Sequence, residues 1–277
     1  MKTEKERPKR RLDIRKLHIM PQISIPFGIF EIDPTDTSVS RAPQRFGEYG
    51  RRELEALDMF LKVSKDVLVL GAHIDTMVVP IAGKVETVHA VEANLRNFDL
   101  LRQNIDLNQL TNVQIHQKFI SHAPKTLPFI DNVNFTAGSK LFPKKNISFY
   151  KDKDAKVIEV EANSVDTLFP GKKFDLILCD IEGAEIDALK GMPETLKNAQ
   201  CFGIGFMPHH LRNVSEAGVE DFLENLWDFQ TLYSPRLKRA VHRDGFTALL
   251  TLMFENDAHD ECLIFHKKRL AITKASA

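Results

Sequence analysis

Acidic side chains follow two apolar segments at the points where strands of an α/β protein would end. Glu92 comes directly after residues 85–91, and Asp180 and Glu182 follow residues 174–179. Ligands of an open α/β sheet bind outside the carboxyl ends of its strands. A carboxylate at such an end can hold a hydroxyl or ammonium group, or take up a proton as a general base. We therefore expect these acidic side chains to face one crevice.

The segment before Glu92 has the layout of a site for a nucleotide-type cofactor. An apolar strand over residues 67–70 is interrupted at Gly71, and a short helix is predicted over residues 76–82. A second strand over residues 85–91 then ends at Glu92. A strand, a glycine turn, a helix and a second strand with an acid about 20 positions past the glycine form such a unit. The sequence therefore predicts that a cofactor binds at this turn.

Two histidines follow a later strand and offer a further chemical group. Met207, Pro208, His209 and His210 come directly after the apolar residues 200–206, so this loop should face the same crevice. A histidine there can act as a base, and His209 is the candidate. The alternative is a surface loop without a role. No metal site is expected, because adjacent histidines on a loop point in different directions.

Strands alternate with helices along most of the chain. Strand patterns cover residues 67–70, 85–91, 113–119, 174–179 and 200–206, and helix patterns cover residues 48–63, 76–82, 95–107, 184–190, 193–199 and 219–229. This alternation is typical of an α/β fold with a doubly wound, mostly parallel sheet. Residues 246–254 and 262–265 are predicted to close the sheet as an antiparallel pair of strands.

Two regions depart from the alternating pattern. Residues 1–45 form a basic, weakly periodic N-terminal segment in front of a domain that covers residues 46–277. Residues 121–161 contain short alternating runs separated by turn residues, at 133–135 and 147–150. These runs predict a β-rich insertion. A long insertion at the carboxyl side of a sheet is more often a lid than a spacer.

The composition is that of an ordinary soluble globular protein. Hydrophobic residues make up 43% and charged residues 27% of the 277 residues, and the formal net charge is zero. No global field therefore favours nucleic acid or an anionic membrane. Residues 1–16 hold eight Lys and Arg against three Asp and Glu, a pattern typical of a solvated arm. We expect a cytoplasmic protein with neither a membrane nor a nucleic-acid partner.

The cysteines and apolar runs agree with this expectation. Cys179, Cys201 and Cys262 form no Cys-x-x-Cys pair, and two of them lie inside strand-like apolar segments, where a free cysteine behaves as a small hydrophobic residue. No run approaches the ~18 apolar residues that a membrane helix needs. Nothing in the sequence requires an oxidising compartment.

Several motifs occur in the order typical of one enzyme family. G-E-Y precedes the first predicted helix, and V-H-A-V-E-A-N-L-R-N-F-D-L-L surrounds Glu92. V-D-T-L and then D-I-E-G-A-E-I-D-A-L-K-G follow further along the chain. Over residues 47–266 the chain resembles the FkbM-type family of class I S-adenosylmethionine-dependent methyltransferases. The resemblance implies a Rossmann-like sheet of seven strands with an antiparallel C-terminal strand, and S-adenosylmethionine as the cofactor.

The resemblance also implies roles for particular residues. Glu92 would accept hydrogen bonds from both ribose hydroxyls, and residues 119–121 would contact the adenine. Asp180 and Glu182 would lie beside the transferable methyl group, where they orient an acceptor hydroxyl or remove its proton. The implied cofactor-binding residues are Gly71, Ala72, His73, Asp75, Glu92, Ala93, Asn94, Phe119, Ile120, Ser121 and Asp180, and the catalytic candidates are Asp180, Glu182 and His209. A plainer role for Glu182, shared with Gly183, is to cap the next helix.

The glycine turn departs from the family pattern at two positions. Val69 stands where the family has an acidic residue, and Asp75 stands where it has the final glycine. That glycine leaves room for the methionine part of the cofactor. Asp75 either replaces the missing acid from a shifted position or blocks the pocket. A carboxylate often found in the family is also missing from residues 203–206, which read Gly-Ile-Gly-Phe.

Two functions follow from these observations. The first is O-methylation of a hydroxyl on a small-molecule or carbohydrate acceptor, which needs positioning, exclusion of water and a base. The second is a catalytically inactive methyltransferase-fold module that binds a ligand or a protein. A nicotinamide-linked oxidoreductase fits less well, because only one of the three fingerprint glycines is present and D-I-E-G has no place in that class.

Overall fold

The computed structural model describes residues 20–38, 50–74 and 76–270. The basic residues 1–16 and the turn residue Asp75 lie outside these ranges.

The strands are β1 (Gln22–Ile25), β2 (Gly28–Glu31), β3 (Asp66–Leu70), β4 (Thr87–Glu92), β5 (Val113–Gln117), β6 (Phe119–Ile120), β7 (Lys125–Asp131), β8 (Lys140–Leu141), β9 (Lys156–Asn163), β10 (Leu176–Cys179), β11 (Cys201–Phe206), β12 (Thr231–Ser234), β13 (Arg239–His242) and β14 (Asp260–His266). The helices are α1 (Arg51–Leu61), α2 (Val78–Ala82), α3 (Leu95–Leu107), α4 (Ile147–Tyr150), α5 (Val165–Leu168), α6 (Glu185–Lys190), α7 (Pro193–Asn198), α8 (Pro208–His210), α9 (Val219–Leu223) and α10 (Phe246–Glu255). No helix in the described ranges is long and apolar enough to cross a membrane.

The central sheet has eight strands, in the order β13-β12-β14-β11-β10-β3-β4-β5. The five strands from β11 to β5 are parallel, and β14 runs antiparallel to β11. The prediction of seven strands is therefore corrected to eight. Neither β12 nor β13 was predicted from the sequence, and the two strands pair as an antiparallel hairpin at the sheet edge.

The register of the parallel strands brings three chain segments to one edge of the sheet. Leu70 of β3 is level with Val91 of β4 and with Cys179 of β10. The residues that directly follow these three are Gly71, Glu92 and Asp180. Strands that are parallel and in register end at the same height, so the polar groups after them share one crevice.

Alternate residues of β3 face two layers of helices. Leu68 and Leu70 pack on one face with α6, α7 and α10. Val67 and Val69 pack on the other face with α1, α2 and α3. Successive side chains of a strand point to opposite faces, so a strand that is covered on both faces must be apolar throughout. The two helical layers hold the strand ends, and the groups that follow them, in fixed positions.

A second sheet of four strands, in the order β6-β9-β7-β8, lies over the carboxyl ends of the central sheet. Its longest pairing joins β7 and β9, which are antiparallel. Two strands predicted inside this region are wrong, because residues 133–135 are irregular and residues 147–150 form α4. Phe135 and Phe149 are exposed, so their apolar character does not mark the buried face of a strand.

The strand predicted over residues 246–254 is also wrong, because this segment forms α10. Its buried side chains are Phe246, Leu249, Leu250 and Met253. These positions are spaced as i, i+3, i+4 and i+7, which is the spacing of one helical face. A continuous apolar run of this length satisfies either structure, and packing against the central sheet decides in favour of the helix.

The described part of the N-terminal segment is a hairpin of β1 and β2 that packs on α3. Oδ1 of Asn104 accepts a hydrogen bond from the Glu31 N–H at 2.6 Å. Oδ1 of Asn108 accepts one from the Ile29 N–H at 2.9 Å. Asn104 also donates to the carbonyl oxygen of Ile74 at 2.9 Å. The hairpin is thereby connected through α3 to the glycine turn.

Candidate active site

A cavity opens at the carboxyl ends of β3, β4 and β10, and we refer to it as the first cavity. Its empty volume, including its mouth, is about 700 Å³. The strand ends and the loops after them contribute Gly71, His73, Glu92, Ala93, Asp180 and Glu182, and the second sheet contributes Phe119, Ile120 and Phe129. The crevice predicted from the strand ends is therefore present.

Glu92 connects the glycine turn to the end of β4. Its Oε2 accepts a hydrogen bond from the His73 N–H at 2.9 Å, and its Oε1 accepts one from the Asn94 N–H at 2.8 Å. Burial raises the pKa of Glu92, and these hydrogen bonds oppose that rise. The side chain of Asn97 and the backbone of Ala93 also act on this carboxylate. Glu92 lines the first cavity, so a ligand there can reach its carboxylate.

Gly71 lets the turn pass against the end of β10. Its φ is +84°, and a Cβ placed there would lie 1.8 Å from the carbonyl oxygen of Asp180. Both facts require glycine at this position. Two residues further on, Nε2 of His73 lies 2.8 Å from the hydroxyl of Thr136, and burial lowers the pKa of His73 to about 4. The turn is thus held between β10 and the insertion.

Carboxyl groups follow β10 in close succession. Asp180 opens onto the first cavity, but desolvation by the surrounding protein, together with the charges of Glu182 and Glu185, raises its pKa well above the usual range. Glu185 accepts hydrogen bonds from the N–H groups of Ile181 and Gly183 at 3.1 and 3.2 Å, and burial raises its pKa to about 7. The backbone in front of α6 is therefore bound by Glu185, not by Glu182.

A second, larger cavity adjoins the first. Its empty volume is about 1210 Å³, and Ala137 and Glu182 line both cavities. Its other lining residues include the aromatic side chains of Phe135, Phe149 and Tyr150 and the polar side chains of Lys140, Asp152, His209, His210 and Glu261. Glu182 lies in the wall between the two cavities, so one carboxylate is accessible to a ligand on either side.

Lys140 of β8 reaches this wall from the insertion. Its Nζ donates a hydrogen bond to Oε2 of Glu182 at 2.8 Å and lies 2.9 Å from Nε2 of His210. Nδ1 of His210 lies 3.5 Å from the same Glu182 oxygen. Burial and the charge of Lys140 lower the pKa of His210 to about 2. The His210 ring is therefore neutral at physiological pH.

Tyr150 holds His209 in the wall of the second cavity. The Tyr150 hydroxyl donates to the carbonyl oxygen of His209 at 3.0 Å, and the two rings are stacked with centroids 6.0 Å apart. Asn213 donates to the same carbonyl oxygen at 2.7 Å and to the Tyr150 hydroxyl at 3.2 Å. Burial lowers the pKa of His209, which favours the neutral ring.

The structure brings most of the candidate site residues to the two cavities. The predicted cofactor residues that line the first cavity are Gly71, His73, Glu92, Ala93, Phe119, Ile120 and Asp180. Among the catalytic candidates, Asp180 lines the first cavity, Glu182 lines both, and His209 lines the second.

The remaining predicted cofactor residues have other positions. Ala72 is buried in the core below the turn. Asn94 caps α3, where its side chain accepts hydrogen bonds from the N–H groups of Arg96 and Asn97. Ser121 is fully buried and donates to Asp187. Asp75 lies outside the described residues.

Sequence reasoning missed the residues that the insertion contributes. Thr136 and Ser139 line the first cavity, and Lys140 and Tyr150 line the second. No motif marks them, because each reaches its cavity only through the way the second sheet folds over the central one. The available signal is the length of the insertion and its place on the carboxyl side of the sheet, which predict a lid but not its residues.

The family model of the methyltransferase FkbM domain matches residues 70–226. The chain belongs to the FkbM methyltransferase family. The match covers more than half of the chain and includes the glycine turn, Glu92, the D-I-E-G segment and His209. The family predicted from the motifs is therefore confirmed, and the protein is a methyltransferase by family.

Solved methyltransferase structures resemble this FkbM-family chain more distantly. Methyltransferase FkbM from Methylobacillus flagellatus KT is 18% identical and aligns over 73% of this chain and 44% of that one, with a TM-score of 0.41. The N-terminal domain of EvdMO1, crystallised in the presence of SAH and D-fucose, is 10% identical over 78% of this chain and 82% of that one, with a TM-score of 0.38. A 16S rRNA methyltransferase of T. Thermophilus, in complex with AdoMet and guanosine, is 13% identical over 90% of this chain and 50% of that one, with a TM-score of 0.42.

These structural similarities are weak, and the family assignment depends on the matched residues 70–226. The chain spans less than half of the length of the first of these proteins. A comparison with curated proteins found no match.

Proposed function

We propose that this FkbM-family protein uses S-adenosylmethionine to methylate a hydroxyl of a small-molecule or carbohydrate acceptor. The observation that supports this proposal most is that two cavities meet at Glu182 on the carboxyl side of the sheet. A methyltransferase must hold a methyl donor and an acceptor side by side, with a group between them that takes up a proton. The paired cavities meet this requirement.

The residues of the first cavity fit S-adenosylmethionine, which supplies an electrophilic methyl group on a positively charged sulfur. Glu92 contributes a carboxylate to the cavity wall, a group that accepts hydrogen bonds from hydroxyls such as those of the ribose. Phe119 and Ile120 offer an apolar surface that suits adenine. Asp180 contributes a carboxyl group to the lining of the first cavity, and we assign it to the side of the positively charged sulfur. Nδ1 of His73 is buried without a hydrogen-bond partner among the described residues, which leaves a polar atom at the turn for a ligand.

The charges around the second cavity suit an acceptor without negative charge. Asp152, Glu182 and Glu261 contribute carboxyl groups to its lining. The cation of Lys140 is already bound to Glu182 and His210, so it does not offset the other acids. An anionic acceptor would face like charges, whereas an uncharged hydroxyl compound would find hydrogen-bond acceptors.

The aromatic side chains of the second cavity favour an acceptor with a ring or another apolar face. Phe149 is 75% exposed and Phe135 is 48% exposed, and both lie in the lining with Tyr150. Exposed aromatic faces of this kind stack against flat or weakly polar surfaces of ligands. A sugar ring combines such a face with hydroxyl groups, and we therefore include carbohydrates among the acceptors.

Calorimetry with S-adenosylmethionine tests the cofactor half of the proposal. We expect one-to-one binding by the parent protein. Glu92→Gln keeps the shape of the side chain but removes its charge, and should weaken binding by roughly 1.5–3 kcal/mol. Glu86→Gln removes an exposed carboxylate that pairs with Lys65, and should bind like the parent. Unchanged affinity in folded Glu92→Gln protein would exclude Glu92 from the site.

A screen with labelled methyl donor tests the acceptor half. Neutral sugars and small metabolites with hydroxyl groups should accept the methyl group, and phosphorylated or carboxylated analogues of the same compounds should accept it poorly. Transfer to a nitrogen atom, or a preference for the anionic analogues, would contradict the proposed acceptor class.

The second candidate function is a module that binds a ligand without catalysis. Val69, at the position of the family acid, is buried in the core, so β3 supplies no carboxylate at that position. The variant Asp75→Gly restores the family glycine and separates the two functions. Cofactor affinity should fall in this variant if Asp75 supplies the missing carboxylate. Affinity that appears or rises would show that Asp75 blocks the pocket and that the natural protein is the inactive module.

A further inference from the structure

Lys140 brings a positive charge into the wall between the two cavities. It is 3% exposed, and lysine is almost never buried to this extent unless it is paired. Its Nζ contacts Glu182 at 2.8 Å and His210 at 2.9 Å, and lies 5.1 Å from the ring centroid of Tyr150. An ammonium group has three donor protons, and Glu182 and His210 engage two of them. Lys140 is therefore held at the wall by two polar partners.

The contact with Lys140 determines where His210 carries its proton. Because the ammonium group is a donor only, Nε2 of His210 must be the acceptor, and the proton of the neutral ring is on Nδ1. Nδ1 is buried, has no hydrogen-bond partner in the part of the chain that the structure describes, and lies 3.5 Å from Oε2 of Glu182. The lone pair of His210 is thus occupied by Lys140. His210 cannot take a proton from an acceptor while this contact exists.

Glu182 and Asp180 have different surroundings although they are two residues apart. Glu182 forms an ion pair with Lys140 at 2.8 Å, and an ion pair requires the carboxylate form. Among the described residues Asp180 has no ion-pair partner, and burial with the neighbouring carboxylates raises its pKa well above the usual range, which favours the protonated acid. Carboxyl groups whose environments differ in this way divide the roles of acid and base between them.

We propose that Glu182 takes the proton from the acceptor hydroxyl, and that Lys140 is a positioning residue that keeps Glu182 ionised at the wall between the cavities. The acceptor O–H bond breaks, and its proton moves to a carboxylate oxygen of Glu182. The electron pair left on the acceptor oxygen forms the new bond to the methyl carbon, while the sulfur of the donor keeps the pair of its broken bond and becomes neutral. Glu182 then releases the proton to solvent. This inference rests on the proposed function.

Titratable groups from several elements face Glu182 and His210. They are Lys140 from β8, Tyr150 from α4, Asp180 after β10, Glu185 from α6, His209 from α8 and Glu261 from β14. Lys140 is the cation in direct contact with both Glu182 and His210. A change at Lys140 should therefore alter the protonation of His210 more than a change at the other positions.

Nuclear magnetic resonance of His210 tests the ion pair without cofactor or acceptor. In the parent protein we expect a neutral ring with its proton on Nδ1 from pH 8 to pH 4. In Lys140→Met the pKa of His210 should rise, because the repulsion from the neighbouring cation is gone and Glu182 remains, while burial, the larger cause of the low pKa, is unchanged. Lys140→Arg keeps the cation and should keep the ring neutral. The matched control is Lys197→Met at an exposed ion pair with Glu194, which should leave the titration unchanged.

Two results of this experiment would overturn the inference. One is a parent protein whose His210 carries its proton on Nε2, and this measurement does not depend on how any variant folds. The other is a His210 that titrates alike in the parent and in folded Lys140→Met protein. Either result would mean that Lys140 does not set the charges at the wall between the cavities.

Turnover with the acceptor found in the screen tests the proton transfer itself. Glu182→Gln should lower kcat by about 100-fold or more, while affinity for S-adenosylmethionine stays within about threefold of the parent. Lys140→Met should lower kcat, because Glu182 then loses the ion-pair partner that positions its carboxylate. Lys140→Arg keeps a cation and should restore part of kcat.

A larger loss of kcat in Asp180→Asn than in Glu182→Gln would contradict the role given to Glu182. A parent protein that fails to bind S-adenosylmethionine would reject the proposed function, and the titration of His210 would still decide the arrangement of Lys140, Glu182 and His210. The two failures are therefore distinguishable.

Discussion

The first and second cavities share Glu182, yet their walls are built from different kinds of contact. In the first cavity the backbone fixes the geometry, since Glu92 binds two backbone N–H groups and Gly71 lies against the carbonyl oxygen of Asp180. In the second cavity, side chains from distant segments contact one another, as Lys140 of the insertion does with Glu182. Changes in the first wall should therefore disturb folding. Changes in the second should alter chemistry and leave the fold intact.

The largest expected effect is that of Gly71→Ala in the first wall. The new Cβ would lie 1.8 Å from the carbonyl oxygen of Asp180, and the backbone of Gly71 has a φ of +84°. Neither the strand end nor the turn can move without breaking the register of β3 and β10. We expect a loss of more than about 3 kcal/mol in the free energy of unfolding, measured by urea denaturation.

A second glycine provides the matched control for this substitution. Gly171 also has a positive φ, of +71°, but no atom lies within 4 Å of a Cβ placed there. Gly171→Ala should cost only about 1–2 kcal/mol, which is the conformational penalty alone. If both variants lost the same stability, the contact between the turn and β10 would not be what requires glycine at position 71.

The next effect concerns Glu185, which binds the backbone behind the first cavity. Its pKa of about 7 in the folded protein exceeds its ordinary value of 4.5, so the folded state holds the proton more firmly than the unfolded chain. The contribution of Glu185 to the free energy of unfolding is fully present below pH 4.5 and is lost as the pH rises to about 7.

Glu185→Gln removes this pH dependence but keeps a side-chain oxygen that can accept hydrogen bonds from the N–H groups of Ile181 and Gly183. Relative to the parent, the variant should therefore gain up to about 3 kcal/mol in the free energy of unfolding between pH 4.5 and pH 7. Urea denaturation of both proteins at the two pH values measures this gain. A constant difference between them would show that Glu185 titrates in the folded protein as it does in the unfolded chain.

The same contrast between the walls explains what the sequence could predict. Gly71, Glu92 and Asp180 follow apolar strands, and the ends of parallel strands in register must meet at one edge of the sheet. Their positions in the first wall therefore follow from local patterns. Lys140 and Tyr150 lie in a region of short irregular segments, and their contacts depend on tertiary packing that no spacing in the sequence encodes.

The errors in the predicted elements have a related cause. Residues 246–254 form an almost continuous apolar run, and such a run fits a buried strand or a buried helix equally well until its neighbours are known. The edge strand β13 has only four residues, and none of them is fully buried, so hydrophobic periodicity gives little signal for it. Elements whose pattern is set by burial on both faces, such as β3 and β4, were predicted within one or two residues.

Asp180→Asn changes a residue of the first cavity that lies close in sequence to the shared Glu182, and it should have a smaller effect than the substitutions of Gly71 and Glu185. The raised pKa of Asp180 favours its neutral form, so an amide of the same size should be tolerated by the fold. We expect affinity for S-adenosylmethionine to fall by less than about tenfold, or ~1.4 kcal/mol, and turnover to fall more. Calorimetry and an acceptor assay measure the two quantities. A loss of affinity far beyond tenfold would place Asp180 among the principal contacts of the cofactor.

The smallest effect is expected for Tyr150→Phe in the second wall. The substitution removes a hydroxyl that donates to the carbonyl oxygen of His209 and accepts from Asn213, and it leaves the ring beside Lys140 in place. Losing one such hydrogen bond should cost about 0.5–1.5 kcal/mol of stability. Because Tyr150 does not line the first cavity, affinity for S-adenosylmethionine should not change. Thermal unfolding and calorimetry on one preparation measure both quantities, and a variant that kept its stability but lost cofactor affinity would show that the two walls are coupled through His209.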